Sequence, residues 1–150
     1  MSEPTRVLIL EDDVLVAWSL REVLSLVGNE VTGIAATVHD ALCLAEVTRP
    51  DLAIVDVRLA GQRDGIEGAE LLRQQFGLEV IFLTGEVDKQ TAQRASSLNP
   101  SCYLIKPVHS QQLVDAIRIA TERSRKWPAV VNENTNSEVA ISEPREASAR

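Results

Sequence analysis

The run Leu52-Ala-Ile-Val ends in Asp56, and a carboxylate in that position calls for a physical reason. An unpaired carboxylate is costly to take out of water. Asp56 therefore either serves a turn, the commoner fate of an acid after a strand, or sits among partners that keep it charged. Three other apolar runs end in polar side chains: Arg6-Val-Leu-Ile-Leu10 in Glu11, Asp12 and Asp13, Val80-Ile-Phe-Leu83 in Thr84, and Cys102-Tyr-Leu-Ile105 in Lys106. Carboxylates gathered at that density repel unless something positive stands among them. Oxygen ligands with room for water suit Mg²⁺, which one or two carboxylates hold and a substrate phosphate completes. Lys106 offers a point charge to a phosphoryl oxygen, and Thr84 offers a hydroxyl donor. Asp56 is then the candidate nucleophile for an acyl phosphate, in a transfer that needs mainly alignment and charge neutralisation. Taken singly, each residue has a plainer reading. The acid triplet suits a helix amino terminus, Thr84 a strand end, and Lys106-Pro107 an ordinary turn.

Convergence of these residues depends on the elements that carry them. Val14 to Val27 follows a helical period with Val16, Leu20, Val23, Leu24 and Val27 on one stripe, Asp13 placed to cap it and Gly28-Asn29 to stop it. Glu30 to Ile34 reads as a weak strand. Thr37 can cap a helix over Val38, Ala41, Leu42 and Ala45 that ends before Pro50. After Leu52–Asp56 comes a long polar loop, Val57 to Asp64, in which Gly61 and Gly65 supply flexibility. Helix resumes from Ile66 to Phe76 and closes at Gly77; Val80–Thr84 is a strand. Val87 to Ser97 reads as a helix of low hydrophobicity, packed loosely or facing partners, and the last helix runs from Gln111 to Arg123. Strands alternating with helices predict an α/β fold, a doubly wound parallel sheet covered on both faces. Ligands of such sheets lie beyond the carboxyl ends of the strands, where the polar residues collect.

Length and composition narrow the field. The 150 residues suit one domain with an aliphatic core, since aromatic residues make up only 3%. A net charge of −7 argues against nucleic acid as a direct partner. Cys43 and Cys102 are isolated and are expected to be buried free thiols, with no zinc or disulfide framework. No signal-peptide pattern and no membrane-length apolar run is present, so a cytoplasmic location is expected. From about Lys126 the pattern dissolves. The expected organisation is a domain over 1–126 and a disordered polar tail over 127–150.

The segments VLILEDD, LAIVDVRLAG, VIFLTG and YLIKP together resemble the receiver domain of bacterial two-component response regulators, over about residues 6 to 125. The resemblance implies a (βα)5 flavodoxin-like sheet in the order 2-1-3-4-5. It implies a phosphoprotein whose Asp56 accepts a phosphoryl group from a sensor histidine kinase or phosphotransfer protein. Mg²⁺ would be held by Glu11, by Asp12 as the direct ligand of the acidic pair, by Asp56 and by the backbone carbonyl of Arg58. Thr84 and Lys106 match the phosphate-contacting hydroxyl and amine, Lys106-Pro107 the family's cis peptide, and Tyr103 its aromatic switch. A downstream protein would dock on the face of the fourth helix, fifth strand and fifth helix, and a homodimer is a further expected partner. Gly85 follows Thr84 where many receivers carry Ala or Ser, and the loop after Asp56 is longer than usual; Gly85 is expected to loosen the coupling of Thr84 to Tyr103. Arg58 and Glu86 are expected to pair across the mouth of the site and slow hydrolysis of the acyl phosphate. The short polar tail leads to the expectation of a stand-alone receiver rather than an enzyme or a DNA-binding regulator. The competing reading is an Asp-nucleophile phosphatase of haloacid dehalogenase type, which wants a second Asp where Arg58 stands.

Overall fold

The structure, a computed structural model, describes residues 3–59, 63–85 and 88–133, with side chains to residue 124. Strands β1 (Arg6–Leu10), β2 (Glu30–Ala35), β3 (Leu52–Asp56), β4 (Glu79–Thr84) and β5 (Cys102–Ile105) alternate with helices α1 (Val14–Leu26), α2 (Val38–Thr48), α3 (Gly65–Phe76), α4 (Lys89–Ser97) and α5 (Ser110–Glu133). All neighbouring strands pair parallel, in the order β2-β1-β3-β4-β5. The period-two alternation of each strand divides the core into two layers. Leu8, Leu10, Ala53, Val55, Val80 and Phe82 pack with α2, α3 and α4. Val7, Ile9, Leu52, Ile54, Ile81 and Leu83 pack with α1 and α5. Strands buried on both faces leave no room for a polar side chain until they end, which explains the unbroken apolar runs.

Helix ends follow local chemistry. Asp13 caps α1 by accepting the N–H of Leu15 at 3.0 Å and of Val16 at 3.3 Å. Thr37 caps α2 by accepting the N–H of Asp40 at 3.1 Å. Gly77 closes α3 in the left-handed region, at φ 67°. Among the described residues, no helix is long and apolar enough to cross a membrane.

Several local expectations are corrected. Ala17, with Leu20 and Leu24, forms the buried stripe of α1, and Val27, at its carboxyl cap, is exposed. Cys43 is exposed rather than buried because it lies on the outer side of α2, away from the Ala41 and Ala45 face; Cys102, on an edge strand, is partly buried. The fourth helix begins at Lys89 behind an Asp88 cap, and Val87 lies outside the described residues. Helix α5 continues to Glu133, past the expected end at Arg123 and the expected boundary at 126. The extension runs through Pro128, which ordinarily argues for a helix end, so intrinsic propensity does not point to it. The rest of the expected tail, 134–150, lies outside the described residues.

Candidate functional site

The carboxyl ends of β1, β3, β4 and β5 share one edge of the sheet, and the polar residues named above meet there. Asp56 closes the central strand, in register with Leu83 of β4. Its Oδ1 accepts the N–H of Arg58 at 3.0 Å, and its Oδ2 accepts Lys106 Nζ at 3.1 Å. The same ammonium lies 3.0 Å from Oε1 of Glu11, the first residue after β1. The other oxygen of Glu11, Oε2, accepts the N–H of Asp13 at 3.1 Å. Glu11, Asp12 and Asp56 each present an oxygen within 4.8 Å of the others. Asp13, committed to its helix cap, is the member of the acidic triplet left out.

Three carboxylates around one ammonium leave the site short of positive charge. Glu11 is only 2% exposed. Burial and a hydrogen bond to Asp56 push its pKa up to about 7, against the opposing pull of the Asp13 N–H and Lys106. Burial works against the charge on Lys106, but hydrogen bonds to Glu11 and Asp56 outweigh it and hold its pKa above the ordinary value. The raised pKa of Glu11 favours its protonated form, which relieves part of the negative charge that a divalent cation would otherwise offset. The donor set is all oxygen, on two buried carboxylates and the more open Asp12, which fits Mg²⁺. Receiver domains bind Mg²⁺ at an acidic pocket of this kind.

Two buried hydroxyls lie on the neighbouring strands β4 and β5. Thr84 is buried at the end of β4, and its Oγ1 has no hydrogen-bond partner among the described residues; the Tyr103 hydroxyl is buried in the same way. The Tyr103 ring turns inward and meets Phe82 edge-on, with centroids 6.3 Å apart at 75°. Burial raises the pKa of its phenol. A buried hydroxyl without a partner costs about 1–3 kcal/mol, so an acceptor oxygen arriving beside either group would be stabilised. The backbone N–H of Lys106 donates to the Thr84 carbonyl at 2.7 Å, and the Lys106-Pro107 peptide is cis.

Around the acceptor, the described residues on either side of the β3–α3 loop make their own contacts. Glu86, the expected partner of Arg58, lies outside the described residues. The Arg58 guanidinium lies 3.8 Å from Asp88, the cap of α4, with both side chains well exposed. Gly65 is pinned rather than flexible. A Cβ there would come 1.7 Å from the carbonyl oxygen of Asp56. Periodicity carries no signal for such a contact, although an Asp-Gly pair at a helix start hints at a cap and a close approach.

A parallel five-stranded sheet in this order, with its acids, lysine and hydroxyl at the carboxyl edge, has the flavodoxin-like architecture of CheY-type signalling domains. Residues 7–118 match the response regulator receiver domain family, and the chain belongs to that family. It is 35% identical over 130 residues to the transcriptional regulatory protein PdtaR of Mycobacterium tuberculosis, covering 87% of this chain and 63% of that protein. It is 34% identical over 123 residues to Nodulation protein W of Bradyrhizobium diazoefficiens, covering 80% of this chain and 52% of that protein. The chain thus spans less than two thirds of the length of either relative. The signal receiver domain of a modulated diguanylate cyclase from Desulfovibrio desulfuricans G20 superposes with a TM-score of 0.80 at 38% identity, covering 83% of this chain and 99% of that one. A CheY-like receiver domain protein from Methanospirillum hungatei JF-1 superposes with a TM-score of 0.75 at 27% identity, over 83% and 99% of the two chains.

Proposed function

We propose that Asp56 is the phosphoacceptor of this receiver domain, and that its donor is the phosphohistidine of a sensor histidine kinase or phosphotransfer protein. The observation that carries this reading is the position of Lys106 Nζ, 3.1 Å from Asp56 and 3.0 Å from Glu11. A carboxylate oxygen of Asp56 attacks phosphorus, the phosphorus–nitrogen bond breaks with its electron pair passing to the imidazole, and an acyl phosphate remains on Asp56. Mg²⁺, held by Glu11, Asp12, Asp56 and the Arg58 carbonyl, would supply charge neutralisation at the phosphoryl oxygens. Lys106 contacts one phosphoryl oxygen, and the orphan hydroxyl of Thr84 donates to another. The energy released by satisfying that hydroxyl favours one of two arrangements of the Thr84–Tyr103 region. The α4–β5–α5 face, with Ile105 62% exposed on it, carries the change to a protein effector or to a second copy of the chain. Output is therefore a change of protein contacts rather than turnover of a substrate.

The test is to incubate the protein with acetyl phosphate and Mg²⁺ and to measure its intact mass. A single added phosphoryl group that disappears in Asp56→Asn and on chelation of the metal is the expected result. Phosphorylation that survives Asp56→Asn would overturn the assignment.

A further inference from the structure

Helix α4 buries a single side chain, Ala95, so apolar packing does little to set its position. Between its amino-terminal half and the β3–α3 turn lies a cleft of about 420 Å³, lined by Val57, Leu59 and Thr91 among charged residues. Ion pairs bridge that cleft. Arg94 of α4 places Nη1 2.9 Å from Oδ2 of Asp64 and Nη2 3.5 Å from its Oδ1. Asp64 is also the cap of α3, with its Oδ1 accepting the N–H of Glu67 at 2.9 Å. One carboxylate therefore fixes the start of α3 and holds α4.

The next residue carries that restraint to the acceptor. Gly65 donates its N–H to the Val57 carbonyl at 3.0 Å. Its Cα lies so close to the Asp56 peptide that any Cβ would overlap the carbonyl oxygen. The first turn of α3 is thus seated directly on the backbone of Asp56, and a shift of Asp64 displaces the acceptor peptide as a rigid contact.

We propose that Arg94 is a positioning residue for Asp56, acting through Asp64 and Gly65, so that α4 and the acceptor are coupled by a link separate from the Thr84–Tyr103 pair. This rests on the reading of Asp56 as phosphoacceptor. Arg94 touches neither the phosphoryl group nor the metal ligands. It holds the α3 amino terminus against the acceptor peptide, and a partner that pulls α4 away loosens that support.

The experiment compares Arg94→Met, Arg94→Lys, Asp64→Asn and the Arg94→Met/Asp64→Asn double variant with wild type. Asn caps a helix about as well as Asp, so Asp64→Asn removes the charge and keeps α3 folded. With acetyl phosphate at saturating Mg²⁺, each disruptive single variant should lower the phosphorylation rate constant about threefold, as loss of an exposed but bidentate pair allows. The double variant should be no slower than the singles, Arg94→Lys should recover most of the rate, and the Mg²⁺ midpoint should stay unchanged. Additive losses, or wild-type rates in Arg94→Met, would overturn the link. If the wild type takes no phosphate, the phosphoacceptor reading fails separately, and amide exchange at Gly65 decides the link alone. Faster exchange in Arg94→Met and Asp64→Asn supports it, and unchanged exchange overturns it.

Discussion

Glu11 lies 3.0 Å from an ammonium and still takes up a proton near neutrality. Burial and the neighbouring Asp56 carboxylate outweigh Lys106, so the pKa rises from 4.5 to about 7. The consequence for stability has a definite sign. Between those two values the folded chain holds a proton that the unfolded chain has released, so this contribution is complete below pH 4.5 and is lost as pH rises through about 7. In the absence of divalent metal, Glu11 should thus cost the fold about 1–3 kcal/mol between pH 5 and pH 8, the lower part of the range allowing for its coupling to Asp56 and Lys106. Urea unfolding at the two pH values in EDTA measures the loss. Glu11→Gln, which cannot ionise, should flatten it, and an equal slope in wild type and variant would remove Glu11 as its source.

At the scale of elements, the contact between the start of α3 and the end of β3 sets two effects against each other. Replacing glycine by alanine inside a helix ordinarily stabilises by about 0.5–1 kcal/mol. At Gly65 the new methyl would meet the backbone carbonyl of Asp56 at 1.7 Å, and backbone cannot swing aside as a side chain can. Overpacking of this kind costs about 1–3 kcal/mol. Gly65→Ala should therefore destabilise in urea, whereas Gly85→Ala, which meets open space, should leave the midpoint within experimental error. A stabilised Gly65→Ala would mean that α3 rides freely over the strand. The same junction marks what the sequence could reveal. The strands, the caps Asp13 and Thr37, and the gathering of Glu11, Asp56, Thr84 and Lys106 were legible because each rests on local period or on what ends an apolar run, whereas the strand order came only through the family resemblance. Gly65 against Asp56, and Arg94 against Asp64, join residues nine and thirty positions apart through a loop of no fixed period. The far end of α5 was not legible because Pro128 stands inside it, and a proline ordinarily argues for a helix end.

For the whole molecule, the acidic edge joins folding, metal and pH in one equilibrium. A ligand that binds only the folded state stabilises it by mass action, about 2.7 kcal/mol at a hundredfold excess over its dissociation constant. Mg²⁺ needs the carboxylates ionised, so the proton on Glu11 competes with it below about pH 7. Metal and pH should then act in opposition. Raising the pH weakens the metal-free fold and strengthens its response to Mg²⁺. At a concentration that saturates the site at pH 8, Mg²⁺ should raise the thermal midpoint by about 5–10 °C, for a domain of this size. The same concentration at pH 5.5 should give a clearly smaller shift, because Glu11 holds its proton there. Asp12→Ala, which removes the most open of the three carboxylates, should abolish most of the response at both pH values. Differential scanning calorimetry of wild type and Asp12→Ala, with and without Mg²⁺ at the two pH values, reads all of these terms together. A shift independent of pH, or one that persists without Asp12, would place the bound cation elsewhere on an acidic surface whose net charge of −7 offers many weaker sites.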